Sequence, residues 1–274
     1  MRVGIYYYEK AMKDASVLAV LQEKCREKGL CVSLFTDTSK IENVDVLIVL
    51  GGDGTMLPAA IECGKKHISV VGINYGHLGF LTQFEQSRAF DVVDLLAKNQ
   101  FDTEKRSVLS VNIHGNTFYA LNEIVVQRHY DDSFHRLVID LTASIDGKKI
   151  DEYVADGLIV CTPTGSTAYS LSAGGAILSP DLSAFMLTPI CAHSLRSRPV
   201  VFSDQRKVTL KIGNEACAAV FCDGKKVGFL TGNEEIELKK ADFNVDFLVK
   251  EENNFYDKLF SKMNQWGGGK NGQK

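Results

Sequence analysis

The segment Gly51-Gly52-Asp53-Gly54 sets one carboxylate among three glycines, directly after the aliphatic run VDVLIVL. An Asp-Gly pair is a common hairpin turn, but a hairpin needs alternating strands on both sides, and neither flank alternates. The preceding run is apolar on both faces, the pattern of a strand inside a parallel sheet. The following TMLPAAIECGKK has Met56, Leu57, Ala60 and Ile61 at helical spacing, with Pro58 tolerable in a first turn. A strand–loop–helix junction at the carboxyl end of a parallel strand is where open α/β sheets take their ligands. Glycines there remove the Cβ atoms that would hold a phosphate off the amides, and the helix start adds unpaired N–H groups. The chain has no G-x-x-x-x-G-K-[ST], and this loop is no G-x-G-x-x-G, so neither the P-loop nor the dinucleotide fingerprint accounts for it. A carboxylate among phosphate-binding amides repels its ligand unless it accepts a proton or helps to hold Mg2+. Phosphoryl transfer to a hydroxyl suits it. An ordinary aspartate, pKa ~3.9, is a weak base, but in a loose transition state the hydroxyl proton leaves late and positioning matters more than basicity.

A second constellation lies in DGLIVCTPTGSTAYSLSAGGAILSP, residues 156–180. A strand, Gly157–Cys161, runs into Thr162, Thr164, Ser166, Thr167, Tyr169, Ser170 and Ser172, punctuated by glycines and followed by a helix-like AGGAIL. Surface linkers seldom carry aliphatics and an aromatic in such a place. The run supplies hydroxyls, amides and one aromatic face, the equipment for a nucleotide's ribose, phosphates and base. A third element, ALNEIVVQR, puts Asn122 and Glu123 within a strand. Consecutive strand residues face opposite ways, so a regular strand aims only one of them at a ligand unless a bend re-aims the other. Asn can pair with an adenine edge and Glu can accept from ribose hydroxyls; as isolated residues they would read as surface polar positions.

The elements that position these residues fall into two styles. The first third alternates strand and helix: MRVGIYYY, a helix from an Asp14 cap through Lys28 with Gly29 as its stop, LCVSLFT, VDVLIVL, HISVVGIN, and an amphipathic helix SRAFDVVDLLAK. Beyond about residue 100 the strands are short and often alternating, with Asp146-Gly147 and Asp223-Gly224 as hairpin turns. The expected fold is an N-terminal open Rossmann-like α/β domain, 1–99, with a C-terminal β-sandwich-like domain, 100–250. A helix at 251–266 is expected to return to the first domain, and the tail 267–274 to be disordered.

Composition narrows the function. With 274 residues, 45% hydrophobic and 24% charged, the chain reads as a soluble globular protein. A formal charge of −3 points to no nucleic acid and no anionic membrane. No run approaches a membrane span, and MRVGIYYYEK lacks the apolar core of a signal peptide, so a cytoplasmic location is expected. The seven scattered cysteines read as small buried hydrophobes in a reducing compartment, and the six histidines lack metal-ligand spacing.

Taken together, GGDGTML, GINYGHLGFLT, ALNEIVV, ADGLIVCTPTGSTAYSLSAGGAI and AHSLRSRPVV resemble the NAD kinase family, which phosphorylates the adenosine 2′-hydroxyl of NAD to make NADP. The resemblance covers nearly the whole chain, and the TPTGSTAYSLSAGG block is its most specific part. It implies NAD as substrate, bound between domains, and a homotetramer or homodimer in which a neighbouring subunit completes the site. ATP or inorganic polyphosphate would be the phosphoryl donor, with Mg2+ or another divalent metal whose protein ligands the sequence does not identify. Asp53 would be the base. Gly51, Gly52, Gly54 and Thr55 would form the donor-phosphate loop. Gly54 and Phe80 would line the pocket. Asn122, Glu123, Thr164, Thr167, Ala168, Tyr169 and Ser172 would hold the adenosine half, and Asp156 the nicotinamide side. Tyr75 stands where many bacterial members have Arg, Lys225 where Gln is frequent, and Val154 where some place a basic residue. The rival readings are a lipid kinase of the diacylglycerol kinase type and a non-catalytic NADP(H)-sensing module, against which Asp53 argues. A serine hydrolase is excluded because no G-x-S-x-G occurs.

Overall fold

The computed structural model describes residues 1–8, 16–75, 79–129, 138–194, 196–213, 216–250 and 255–267. The chain divides into two compact units, Met1–Lys105 with Val245–Lys274, and Arg106–Asn244.

The first unit is built as β1 (Arg2–Tyr7), α1 (Ser16–Glu27), β2 (Cys31–Phe35), β3 (Val46–Leu50), α2 (Asp53–Lys65), β4 (Ser69–Asn74), β5 (Phe84–Glu85) and α3 (Ala89–Ala97). Strands β2, β1, β3 and β4 lie side by side, all parallel. Every residue of β3 is buried, as a strand covered on both faces requires. Gly29, at φ 71°, follows α1 in the left-handed conformation that ends helices. Asp14, the expected cap of α1, lies outside the described residues. The core packs Leu21 and Cys25 of α1 and Val92, Val93 and Leu96 of α3 against Ile5, Ile48 and Ile73 of the sheet. Tyr75 packs against this same cluster.

The second unit is antiparallel. Its strands are β6 (Asp102–Ile113), β7 (Asn116–Ala120), β8 (Glu123–Arg128), β9 (Ile139–Ile145), β10 (Lys148–Ala155) and β11 (Gly157–Cys161), then the short helix α4 (Tyr169–Ser172). There follow β12 (Ala184–Ile190), β13 (Val200–Ser203), β14 (Val208–Ile212), β15 (Cys217–Cys222), β16 (Lys225–Thr231) and β17 (Glu235–Val249). One sheet runs β13-β12-β11-β8-β15-β16, and the other joins β10, β9, β14 and β17, with β6 beside β17 and β7 beside β6. Their facing sides share one core, in which Val126, Leu158 and Phe185 meet Leu109, Leu141, Leu210 and Leu238. This is a β-sandwich. The end of β17 belongs to the first unit, where Phe247 pairs in parallel with Val70. The C-terminal helix α5 (Phe255–Gly267) belongs there too.

Both expected hairpin turns form. Asp146 and Gly147 (φ 49° and 76°) link β9 to β10, and Asp223 and Gly224 (φ 47° and 76°) link β15 to β16, with the paired positive φ of a two-residue turn. Three local expectations are corrected. Helix α2 starts at Asp53 itself, so Pro58 lies in its second turn and leaves the Gly54 carbonyl without the usual N–H donor. The AGGAIL segment is not helical: α4 ends at Ser172, and Gly174 (φ 89°) turns the chain away. Asn122 is not in a strand, because β8 begins at Glu123 and residues 121–122 form a bend. Among the described residues no helix is long and apolar enough to cross a membrane.

Candidate active site

In the first unit the site starts from the end of β3. Gly52 caps α2 in an extended conformation, φ −95° and ψ −172°, with no side chain to bond. Its carbonyl accepts from the N–H groups of Thr55 at 2.9 Å and Met56 at 3.1 Å, and the Gly51 N–H goes to the Ile73 carbonyl at 3.0 Å. The amides of Gly51 and Thr55 are therefore engaged. Among the described residues, these bonds leave the N–H groups of Gly52, Asp53 and Gly54 to a ligand, at the positive end of α2.

The glycines have different reasons. A Cβ on Gly51 would lie 2.5 Å from the Thr55 hydroxyl, so internal packing demands that glycine. Among the described residues a Cβ on Gly52 or Gly54 would meet no atom within 4 Å, and neither residue has a positive φ. Fold and packing would both accept a side chain there. The absence of one leaves open space over the helix start, as close approach of a phosphate needs.

Asp53 is half-buried and does not face away into solvent. Its Oδ2 accepts the Phe80 N–H at 2.8 Å and its Oδ1 the Leu81 N–H at 3.0 Å. A carboxylate has about four acceptor positions, so each oxygen keeps a lone pair for a proton. The loop that brings these amides in is itself fixed. Gln83 exchanges two bonds with Gly72 of β4, each 3.0 Å. Gly79 makes the approach possible, since a Cβ there would fall 2.0 Å from Asp53 Oδ1. Helix α5 backs the loop: Phe255 packs on Phe80 with ring centroids 6.2 Å apart, and Lys258 donates to the Thr82 carbonyl at 2.9 Å. Lys262, on the same face of α5, lays its ammonium 4.3 Å from the Phe80 ring centre.

In the second unit the bend at Asn122 is held by Asp223. Its carboxylate accepts the N–H groups of Leu121 and Asn122, both at 2.8 Å, and of Glu123 at 3.1 Å. Thr162 grips the same bend from β11: its hydroxyl donates to the Leu121 carbonyl at 2.6 Å, and its N–H to the Asn122 carbonyl at 2.9 Å. Gly165 passes so close that a Cβ would sit 2.2 Å from the Asn122 carbonyl oxygen.

Glu123 is the electrostatic anomaly. It is buried beside half-buried Asp223, its Oε2 has no hydrogen-bond partner among the described residues, and the Tyr169 N–H donates to its carboxyl. Burial first, then the charge of Asp223, pushes it up to about 8. Burial raises the pKa of Asp223 as well, but its three amides oppose that shift and favour its ionised form, so Glu123, with one amide, is the member of the pair better suited to carry a proton. A buried polar atom without a partner is what a missing ligand group leaves behind.

The hydroxyl-rich run divides into two kinds of residue. Ser166 holds the loop together, donating to the Pro163 carbonyl at 2.6 Å and accepting from the Leu178 N–H at 2.9 Å. Ser170 bonds to Thr188 at 2.8 Å inside the fold. Thr164 is buried and accepts from Arg106 at 3.2 Å. Thr167 and Ala168 are half-buried, and Tyr169 and Ser172 are exposed, so these four remain within reach of a ligand. Asp156 pairs with Arg128 at 2.9 Å. Two residues that the sequence alone did not single out hold positions next to these groups, Asp223 as the anchor of the Asn122 bend in the second unit and Lys262 as a cation against Phe80 in the first. The Asp-Gly signal at 223 pointed only to a turn.

Two family models match the chain: the ATP-NAD kinase N-terminal domain over residues 6–101 and the ATP-NAD kinase C-terminal domain over residues 121–249. The NAD kinase of Caldicellulosiruptor bescii is 34% identical over 266 residues, covering 97% of this chain and 100% of the relative. That of Caldanaerobacter subterraneus subsp. tengcongensis is 37% identical over 227 residues, covering 81% and 79%. Among solved structures, the NAD kinase of Archaeoglobus fulgidus in complex with ATP superposes with a TM-score of 0.79 at 29% identity, over 96% of this chain and 98% of that one. The yeast NADH kinase complexed with NADH superposes at 0.82 over 100% and 89%, a likeness of fold at 23% identity. A relative matched over its whole length, and domain matches that span most of this sequence in the right order, establish that the chain belongs to the NAD kinase family of enzymes.

Proposed function

We propose that this enzyme transfers the terminal phosphoryl group of ATP, or of inorganic polyphosphate, to the adenosine 2′-hydroxyl of NAD, releasing NADP. The observation that carries the reading is Asp53, fixed by two amides at the open start of α2. The 2′-oxygen attacks the terminal phosphorus, a new O–P bond forms, and the bond to the leaving phosphate oxygen breaks. The hydroxyl proton passes to a free lone pair of Asp53. The amides of Gly52, Asp53 and Gly54 receive the donor's phosphates without charge of their own to desolvate, and electrostatic positioning of this kind supplies most of phosphoryl-transfer catalysis. Asn122, the protonated Glu123, Thr167, Ala168, Tyr169 and Ser172 hold the adenosine half, with Glu123 donating its proton to a ribose or base acceptor. Phe80 lines the Asp53 side. Asp156, held by Arg128, serves the nicotinamide half.

Among the described residues no three His, Cys, Asp or Glu side chains gather to hold a metal ion. One carboxylate, Asp53, beside a phosphate site fits Mg2+ that arrives on the nucleotide, since this ion is often bound by one or two carboxylates plus substrate phosphates. When bound it would neutralise charge developing on the donor. Seven free thiols, five of them buried, support a reducing, cytoplasmic setting, and the resemblance supports a homotetramer or homodimer. The test is direct. Purified protein with Mg2+, NAD and either ATP or polyphosphate, coupled to an NADP-specific dehydrogenase, is expected to form NADP with at least one donor. No NADP with either donor would overturn the reading.

A further inference from the structure

A polyphosphate chain approaching Asp53 meets one full negative charge and only the partial positive charge of a helix start, about half an elementary charge. A full cation stands beside them. Lys262 is half-buried, its ammonium 4.3 Å from the centre of the Phe80 ring and near enough to Asp53 to respond to its charge. The same Phe80 donates its amide to Asp53, so the ring that steadies the ammonium and the carboxylate are fixed to one another. Docking of α5 does not call for this lysine, because Phe255 and Lys258 already attach the helix to the loop at 79–84. Burial lowers the pKa of Lys262, which marks an ammonium short of water, and Asp53 opposes that shift. A partly desolvated ammonium with three donors, restrained by a ring face and, among the described residues, in no salt bridge, is suited to phosphate oxygens.

We propose that Lys262 contacts the terminal phosphates of the phosphoryl donor, setting a full positive charge beside Asp53 while the phosphoryl group moves. The proposal rests on the reading of Asp53 given above.

The test uses the full chain with Lys262→Met, Lys262→Arg and Lys258→Met. The last removes the bond to the Thr82 carbonyl and reports what looser docking alone does. Steady-state rates with ATP and NAD varied separately, ATP binding by calorimetry, and thermal melting are read for each. Lys262→Met is expected to weaken ATP binding, or raise the ATP KM, by about tenfold or more, the size of one charge-assisted hydrogen bond. The KM for NAD should stay within about twofold and Tm near wild type, with Lys262→Arg recovering much of the loss. Three results would overturn the proposal: unchanged ATP binding and KM, a loss confined to NAD, or a lowered Tm with the kinetics of Lys258→Met. If the wild-type protein binds ATP but forms no NADP, the functional reading fails while calorimetry still decides the role of Lys262.

Discussion

Glu123 shows how one residue can be misjudged by type and rescued by surroundings. Glutamate on a surface is an acceptor; here, buried beside Asp223 with Oε2 unpartnered among the described residues, its carboxyl is pushed toward the protonated form, which has a donor to offer. Its folded pKa, about 8, lies above the ordinary value of 4.5. The unfolded chain therefore releases this proton first, and the folded state loses stability as pH rises from about 4.5 to about 8. Glu123→Gln keeps an N–H donor and carries no charge, so it should remove that loss. Thermal melts are expected to agree near pH 4.5 and to favour the variant by a few degrees at pH 8 to 9. Equal melting at both ends would mean that Glu123 is ionised in the fold. Gly79 makes a steric counterpart. Because a Cβ there would strike Asp53 at 2.0 Å, Gly79→Ala should displace the Phe80 and Leu81 amides and cut kcat more than it lowers Tm; a variant with near-normal kcat would show that the two amide bonds are dispensable.

At the scale of elements, each unit has one backbone segment held by a carboxyl group distant in sequence. Asp53 holds the loop after β4, and Asp223 holds the bend before β8. Removing Asp223 strands three amide donors, at about 1–3 kcal/mol for each that stays buried and unpaired. Asp223→Ala should therefore shift the urea midpoint of the protein far more than an exposed change such as Lys225→Ala. Equal shifts would show that water satisfies the bend. These anchors also mark what the sequence could and could not tell. The glycines around Asp53 and the apolar run before them are local signals, and both were legible. Asp223 reads as a hairpin residue, which it is, but its bonds reach across about a hundred residues, and no local pattern records that. Strands β12 and β16 were hidden for similar reasons. AFMLTPI is a continuous apolar run with a proline, and KKVGFLT opens on two lysines and contains a glycine; neither alternates cleanly, and neighbouring strands decide their state. Of the hydroxyls at 162–172, the sequence could not separate Ser166 and Ser170, which bind the fold together, from Thr167 and Ser172, which remain accessible. Burial makes that distinction, and burial is a tertiary property.

For the whole molecule, the order of a parallel α/β unit followed by an antiparallel sandwich was readable, because buried parallel strands and half-exposed antiparallel ones leave different periodicities. The return of α5 to the first unit was suggested by its place in the chain and by the family resemblance, and the contacts of Phe255 with Phe80 and of Lys258 with the Thr82 carbonyl supply the physical reason. Assembly is a separate matter. Light scattering should give a mass two or four times the 30.2 kDa of the chain, and a monomer at working concentration would remove the proposed contribution of a neighbouring subunit. The account as a whole turns on Asp53, and Asp53→Asn isolates it, since asparagine keeps the size and loses the capacity to take a proton. Turnover to NADP should fall by at least about a hundredfold, the usual contribution of general acid–base catalysis, while NAD binding measured by calorimetry stays within about tenfold, because the interaction matters in the transition state. A variant that binds NAD and still turns over near the wild-type rate would contradict the assignment.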